Sequence, residues 1–446
     1  MNPKALKKLR AMMAQLFPDG EIPWHELREM LGDESYGLAW KGRAQAARSA
    51  MPRPGRDLPP LHGDTLIESE NLEALHALAR SHEGRISAIY IDPPYNTGKE
   101  FTYTDNFRKG PRGKLEGRHD LWLSMLYPRL VMARRLLSES GVIFVSIGDT
   151  ELPNLRILME EVFGPDNVIG IFCWVKKKKG SHLSSTLRSL TEYVVCAARD
   201  KRRTNLYGEP AYTDKWQPLM KKRNARKELS FPAGCVETRL ADGIYGPEET
   251  AANSHLSFRC PLDVSDGMIR NGFAVEGPFV WTQGMLDSEL EKGTRASLSK
   301  RFGFNVLRHD QGSKFKRPAT LLNAAAGVGT YEDAFAELSQ RLGAEFRFSY
   351  AKPVSLVKHL VRAATHFEKD ALVLDFFAGS GTTGEAVWQL NGEDGGERRF
   401  ILVQEPVPTG DARFPTICDL AWARLGAAAL EQEEKVSLQR ISLPGP

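Results

Sequence analysis

An aspartate, two prolines and a tyrosine, Asp92-Pro93-Pro94-Tyr95, follow a short apolar run, ISAIYI at 86–91. A β-branched, nearly continuous run of this kind reads as a buried parallel strand. The C-terminal ends of such strands open onto the crevice where α/β sheets bind ligands. Each proline fixes its own φ and removes an N–H donor, but keeps its carbonyl. The unit therefore presents neighbouring acceptors and an aromatic face. A flat heterocycle bearing an exocyclic NH2 fits it: the acceptors take the two amine hydrogens and the ring stacks on Tyr95. The plainer reading is a strand-ending turn with its tyrosine packed at the sheet edge, and four residues alone do not choose between them.

The second constellation is Asp375-Phe376-Phe377-Ala378-Gly379-Ser380-Gly381-Thr382-Thr383-Gly384, between the apolar run ALVLDF and the helical pattern TTGEAVWQL. Glycines 379, 381 and 384 satisfy GxGxxG in the strand–turn–helix setting that motif requires. They permit a tight turn and close approach of a ligand to the backbone. No lysine follows, which disfavours a triphosphate loop. The next strand, RFILVQ at 399–404, ends at Gln404-Glu405, an acid suitably far on to hold ribose hydroxyls. The motif points to an adenosine-bearing cofactor, a nicotinamide dinucleotide or S-adenosyl-L-methionine.

The pairing of the two constellations separates these cofactors. Hydride transfer has no need of an amine-gripping unit, whereas methylation of a base amine does. The motifs lie 283 positions apart, counted from Asp92 to Asp375, yet adjacent strands of one sheet bring both turns to one crevice. A target base must then leave the duplex stack to reach it.

The elements that must position these groups are legible as alternating strands and helices. The segment DLWLSMLYPRLVMARRLLSES spaces leucines for a helix that Gly141 stops. VIFVSI (142–147), VIGIFCWV (168–175) and YVVCAA (193–198) read as strands, with a helix over ELPNLRILMEEVF. The fold class expected is α/β: a doubly wound, mostly parallel sheet. The alternation dissolves between 201 and 345, which reads as an inserted, turn-rich DNA-binding domain. Residues 61–200 and 346–446 are then the two parts of one catalytic domain, and 1–60 a helical appendage and linker.

Sixty Lys+Arg against fifty-six Asp+Glu leave a net charge of only +4. The distribution is uneven: nine basic residues against three acidic ones between Lys201 and Ser230 leave +6 locally. Candidate phosphate contacts there are Lys221, Lys222, Arg223, Arg226 and Lys227, with Lys176, Lys177, Lys178 and Lys179 upstream. No run of about 18 apolar residues offers a membrane span, and the N-terminus lacks a signal peptide's apolar stretch. Five scattered cysteines form no CxxC pair, so no metal site or disulfide framework is expected. A protein of the cell interior follows as the expectation.

On the runs YGLAWKGRAQAAR (36–48), GDTLIESENLEAL (63–75), IYIDPPYNTGKEFTYTDNF (89–107), GVIFVSIGDTELPNLRILMEEVFG (141–164), KPVSLVKHLVRAAT (352–365) and LDFFAGSGTTGEAVWQLNGEDGGERRFILVQ (374–404), the chain resembles the β-class amino-methyltransferases of DNA. The resemblance is greatest to the modification subunits of type III restriction–modification systems. It implies a circularly permuted S-adenosyl-L-methionine-dependent fold and a catalytic role for Asp92, Pro93, Pro94 and Tyr95. For the cofactor it implies Asp64, Lys352, Pro353, Asp375, Phe376, Phe377, Ala378, Gly379, Ser380, Gly381, Thr382 and Thr383, with Gln404 and, ahead of it, Glu405 at the ribose. It further implies transfer to N6 of adenine in double-stranded DNA, a homodimer, and a restriction subunit with helicase and nuclease activity as partner. An N4-cytosine enzyme or a catalytically inactive DNA-binding relative are the alternatives.

Overall fold

In the computed structural model the described residues are 37–98, 118–179, 187–211, 215–251, 253–308, 315–343, 351–431 and 436–443. The first 36 residues of the expected helical appendage lie outside them. The chain divides into two compact units, Met1–Tyr207 with Ala319–Pro446, and Gly208–Pro318.

A nine-stranded sheet organises the first unit, in the order Leu321–Leu322, Val168–Val175, Thr191–Ala198, Leu137–Ile147, Ile86–Ile91, Leu372–Asp375, Arg399–Gln404, Asp64–Glu68, Leu438–Ser442. Only Thr191–Ala198 runs antiparallel to its neighbours. Alternate strand residues enter opposite cores, as the period of two demands. Ile89, Ile91, Ile143, Val145, Leu374 and Ile401 pack under the helices Asn71–His82, Arg118–Leu136 and Leu152–Phe163. Ala88, Tyr90, Phe144, Val373, Phe400 and Leu402 pack under Val354–Thr365, Thr382–Asp394 and Ile417–Ala429. A sheet covered on both faces needs apolar residues at both parities, which is why its strands read as continuous apolar runs.

Ile86–Ile91 and Leu372–Asp375 are neighbours and parallel, with Val373 opposite Ala88 and Leu374 opposite Ile89. The chain leaves the first toward Leu137–Ile147 and the second toward Arg399–Gln404, on opposite sides. This is a topological switch point, and a crevice opens beyond the strand ends there.

Three expectations are corrected. The helix that Gly141 was to stop ends at Leu136, and Gly141 lies inside the strand Leu137–Ile147. A Cβ there would stand 2.7 Å from the Ile86 carbonyl, in a stretch where the ladder shifts register. The inserted unit is narrower than 201–345: Leu321–Leu322 pairs with Cys173 and Trp174 at the sheet edge, and Leu338 of the helix Tyr331–Leu342 packs on Leu420. Finally, the segment from 37 is not an appendage. Trp40 is buried in the catalytic core, with its Nε1 donating to Ser124 Oγ at 3.0 Å and its ring 5.6 Å from Tyr127.

The unit Gly208–Pro318 is β-rich. A seven-stranded and a three-stranded sheet enclose Phe231, Phe273 and Phe304, whose rings stack at 5.0–6.2 Å.

At Gly384, in the first turn of Thr382–Asp394, a Cβ would meet Leu425 Cδ2 at 2.7 Å and Phe400 Cζ at 2.9 Å. Both neighbours are fully buried. Gly384→Val should therefore lower the stability of the catalytic unit by about 1–3 kcal/mol, seen by calorimetry as a reduced unfolding temperature. An unchanged temperature contradicts the close helix–strand contact.

Candidate active site

Asp92 leaves the strand Ile86–Ile91 at the switch point, and its carboxylate is held by the lysine that precedes the helix Val354–Thr365. Lys352 Nζ donates to Asp92 Oδ1 at 2.8 Å and Oδ2 at 2.7 Å. The lysine is 5% exposed. Three aromatic rings surround its ammonium: Tyr95 at 4.9 Å, Tyr331 at 5.4 Å and Trp174 at 6.0 Å from their centroids. Ring faces attract a desolvated cation, and the bidentate carboxylate completes its neutralisation. A second pair adjoins it. Glu192 accepts from Tyr331 Oη at 2.7 Å and Tyr95 Oη at 3.4 Å, and meets Lys176 Nζ at 3.2 Å. Burial, with the charges of Asp92 and Glu192, raises the Tyr95 hydroxyl well above its usual pKa, so it stays a donor.

The turn after Asp92 is anchored from outside the crevice. The Pro94 carbonyl accepts from Trp122 Nε1 at 2.7 Å, whereas that of Pro93 has no hydrogen-bond partner among the described residues. Asn96 adopts φ 56°, a left-handed value that asparagine tolerates better than most residues. Its Nδ2 donates to the fully buried Glu151 Oε1 at 2.5 Å, and Glu151 also accepts from Asn154 Nδ2 at 2.7 Å and meets His119 Nδ1 at 2.7 Å. The absence of a side chain at Gly148 admits the Tyr95 ring, since a Cβ there would lie 3.1 Å from Cδ2.

On the neighbouring strand, Asp375 ties down the glycine turn. Its carboxylate accepts from Phe377 N at 3.0 Å and Thr383 Oγ1 at 2.5 Å. Gly379 N donates to Gln404 Oε1 at 2.8 Å, and Gly379 and Gly381 take φ 53° and 82°, conformations that favour glycine. A Cβ on Gly379 would meet nothing closer than the Phe377 carbonyl at 3.9 Å, so the turn faces open space that a ligand can occupy. Ser380 and Thr382 point inward instead. Both hydroxyls accept from Arg424 Nη1, at 2.9 and 2.7 Å, and Arg424 is fully buried with Nε on Glu385 at 2.8 Å. Glu405, past the strand end, is exposed.

The two turns thus lie side by side at the strand ends: Asp92 and Tyr95, with Lys352 on the Asp92 carboxylate, on the first, and the Phe377 and Gly379 backbone, held by Asp375 and Gln404, on the second. The charge of Asp92 is felt at Asp375. Pro353 caps the helix Val354–Thr365 directly after Lys352. Pro94 serves as an anchor rather than a free acceptor. Phe376 is fully buried in the core and Ala378 nearly so. Asp64 does not reach the crevice. It begins its strand, at the opposite end of the parallel strands from the crevice, where its carboxylate accepts from Trp388 Nε1 at 2.6 Å and Phe400 N at 2.9 Å. Burial pushes its pKa up to about 6 despite those bonds.

The basic residues also divide. Lys176 turns inward to Glu192, and Lys178 pairs with Asp333 at 3.1 Å, while Lys179 is exposed and Lys177 half-buried. In the other unit Lys221, Lys222 and Arg223 are exposed, Lys227 begins the strand Lys227–Phe231, and Arg226 braces that unit through Glu276 at 3.1 Å and the His255 carbonyl at 3.0 Å. Sequence reasoning missed Glu192, Tyr331, Trp174, Glu151 and Arg424, which no motif marks out.

A family model described as DNA methylase matches residues 86–404. The type III restriction–modification enzyme EcoPI Mod subunit of Escherichia phage P1 is 30% identical over 91% of this chain and 70% of its own length. The StyLTI Mod subunit of Salmonella typhimurium is 31% identical over 75% of this chain and 51% of its own length. The type II methyltransferase M.KpnI of Klebsiella pneumoniae is 27% identical over 83% of this chain and 89% of its own.

Asp375 carries a measurable signature. Burial first, and the charge of Asp92 in addition, push its pKa from 3.8 up to about 7, against the bonds from Thr383 and Phe377 that lower it. A carboxyl that holds its proton more tightly folded than unfolded contributes stability below its unfolded pKa and loses it as pH rises. Asp375→Asn removes the titration. Between pH 3.8 and about 7 the variant should therefore gain steadily on the wild type in urea unfolding, and a constant difference across that window contradicts the shift.

Proposed function

The chain belongs to the DNA methylase family of N6 and N4 methyltransferases, and from that premise we propose that it methylates N6 of adenine in double-stranded DNA as the modification component of a restriction–modification system. The observation that carries the reading is the meeting of Asp92 and the glycine turn on adjacent strand ends, with Tyr95 and the Pro93 carbonyl beside them.

The residues at the turn suit S-adenosyl-L-methionine: open space before Gly379, backbone held by Asp375 and Gln404, and Glu405 beyond the strand for the ribose. Bound there, it supplies an electrophilic methyl group on a sulfonium. The chain's own groups prepare the nucleophile. An adenine amine is conjugated with its ring and a poor donor of its lone pair. Asp92 and the Pro93 carbonyl accept its two hydrogens, which draws the nitrogen toward tetrahedral geometry and frees that pair. Tyr95 stacks on the extruded ring and fixes its plane. The nitrogen's surplus proton after methylation passes to the Asp92 carboxylate and on to water. Orientation and charge complementarity do most of the work, and no nucleophilic cysteine is required.

The unit Gly208–Pro318 reads the target sequence in this proposal, with Lys221, Lys222 and Arg223 neutralising phosphates. The relatives named as modification subunits of restriction–modification enzymes support a restriction subunit as partner, and a second copy of the chain is proposed on the sequence resemblance alone. DNA as substrate supports the bacterial cell interior as location; no helix among the described residues is long and apolar enough to cross a membrane.

Purified protein incubated with duplex DNA and isotopically labelled S-adenosyl-L-methionine should yield labelled N6-methyladenine after digestion to nucleosides and mass spectrometry. Labelled N4-methylcytosine instead overturns the target base. Asp92→Ala should lower transfer at least about a hundredfold with cofactor affinity retained, and joint loss of both shows a structural role.

Replacing Lys221, Lys222 and Arg223 together by alanine should weaken DNA binding and flatten its salt dependence, by about 0.9 in log–log slope for each phosphate that is no longer neutralised. A slope equal to wild type excludes these residues from the phosphate backbone.

A further inference from the structure

The sequence resemblance assigns Lys352 to the cofactor, yet its ammonium lies on the catalytic carboxylate. Two of its three N–H donors reach the two oxygens of Asp92, at 2.8 and 2.7 Å, and the third has no hydrogen-bond partner among the described residues. Glu192, the other nearby acid, is already engaged by Lys176, Tyr331 and Tyr95. The same ammonium stands 4.9 Å from the centroid of Tyr95, the ring on which the extruded base stacks in the proposed reaction. It is therefore next to both groups that receive the base.

We propose that Asp92 and Lys352 act as one acceptor–donor pair that grips the amidine edge of the target base, with Lys352 donating a hydrogen bond to the ring nitrogen next to the amine, N1 of adenine. This inference rests on the adenine methyltransferase reading and names how the site holds its substrate. An amidine edge shows an N–H donor on the amine and a lone pair on the adjacent ring nitrogen, side by side. A carboxylate oxygen 2.7 Å from an ammonium nitrogen presents the complementary acceptor and donor at a matching spacing. Each carboxylate oxygen has two lone-pair sites, so bonding to Lys352 leaves one for the amine. The pair also fixes direction. A base that enters with its other edge forward meets neither partner, and N1, which is alkylated readily in unpaired adenine nucleosides, is covered by a cation that repels an electrophile. Trp174 and Tyr331 hold the ammonium in place when no base is present.

The test uses the full-length enzyme and a short duplex carrying the site that the wild type methylates, with adenine, 1-deazaadenine or 7-deazaadenine at the target position. Single-turnover rates at saturating labelled S-adenosyl-L-methionine are the readout, with cofactor affinity measured separately. Replacing N1 by C–H removes the acceptor without making the amine a poorer nucleophile. The wild type should slow about 10- to 100-fold on 1-deazaadenine and little on 7-deazaadenine. Lys352→Met should slow on adenine to a similar degree with cofactor affinity within about threefold, and should lose little more on 1-deazaadenine, because both changes remove the same bond. Lys352→Arg should recover part of the rate. Equal wild-type rates on adenine and 1-deazaadenine overturn the inference without any variant. Additive losses overturn it too, and show that Lys352 acts only through Asp92. Loss of cofactor affinity in Lys352→Met with an unchanged rate at saturation returns the lysine to the cofactor. No transfer by the wild type to any adenine duplex strikes the underlying reading instead, and the inference falls with it.

Discussion

The parallel pairing of Ile86–Ile91 with Leu372–Asp375 sets an acidic turn and a glycine turn side by side across 283 positions of chain. Neither turn has a function alone. In the proposed reaction the first grips an amine but brings nothing to transfer, and the second cradles a cofactor without a substrate. Their register fixes how far Asp92 projects past Asp375, so a slip of one residue would also swap the two apolar faces of each strand between cores. Catalytic geometry and hydrophobic burial are therefore specified by the same ladder. The continuous apolar runs that make the strands legible also prevent the site from drifting.

Charge is buried at both sides of the crevice, and it is buried in matched sets. Asp92 with Lys352 and Glu192 with Lys176 form two neutral pairs. Beneath the glycine turn, Arg424 and Arg341 share Glu385. Such pairs add little net stability over apolar packing, because desolvation offsets their attraction. Breaking one is costly, at about 3–5 kcal/mol. They hold positions more than they strengthen the fold. Arg424 illustrates this: by binding Ser380 and Thr382 from inside, it turns both hydroxyls away from the crevice and leaves backbone to face a ligand.

The sequence discloses local features and obscures those made by tertiary contact. ISAIYI, VIGIFCWV and RFILVQ have the strand bounds expected of them, because each carries its own apolar signature. The glycine turn is equally plain, since positive φ at Gly379 and Gly381 is a local demand. Asp64 misleads because motif proximity does not say which end of a strand an acid occupies. Lys176 misleads because four consecutive lysines look like one patch. Strand parity corrects that: Lys176 lies two residues beyond the buried Trp174 and shares its side. Leu321–Leu322 is too short to show any periodicity, which is why the end of the insertion is blurred.

The insertion closes on itself, which separates it from the strands that carry the candidate site. Glu209–Pro210 and Phe315–Lys316 pair antiparallel, Gly208 N donates to the Lys316 carbonyl at 2.9 Å, and Lys316 meets Glu209 at 2.7 Å. Entry and exit thus share one ribbon, closed by its own hydrogen bonds. A loop whose ends are already held together imposes only a weak length-dependent entropy on its host, growing by about 0.6 kcal/mol per doubling. The enclosed unit has its own aromatic core in Phe231, Phe273 and Phe304. In the proposed reading, substitution on its surface changes what DNA it reads without disturbing the register on which Asp92 and the glycine turn depend. The catalytic strands must remain as they are, whereas the ribbon requires only that its two ends stay paired.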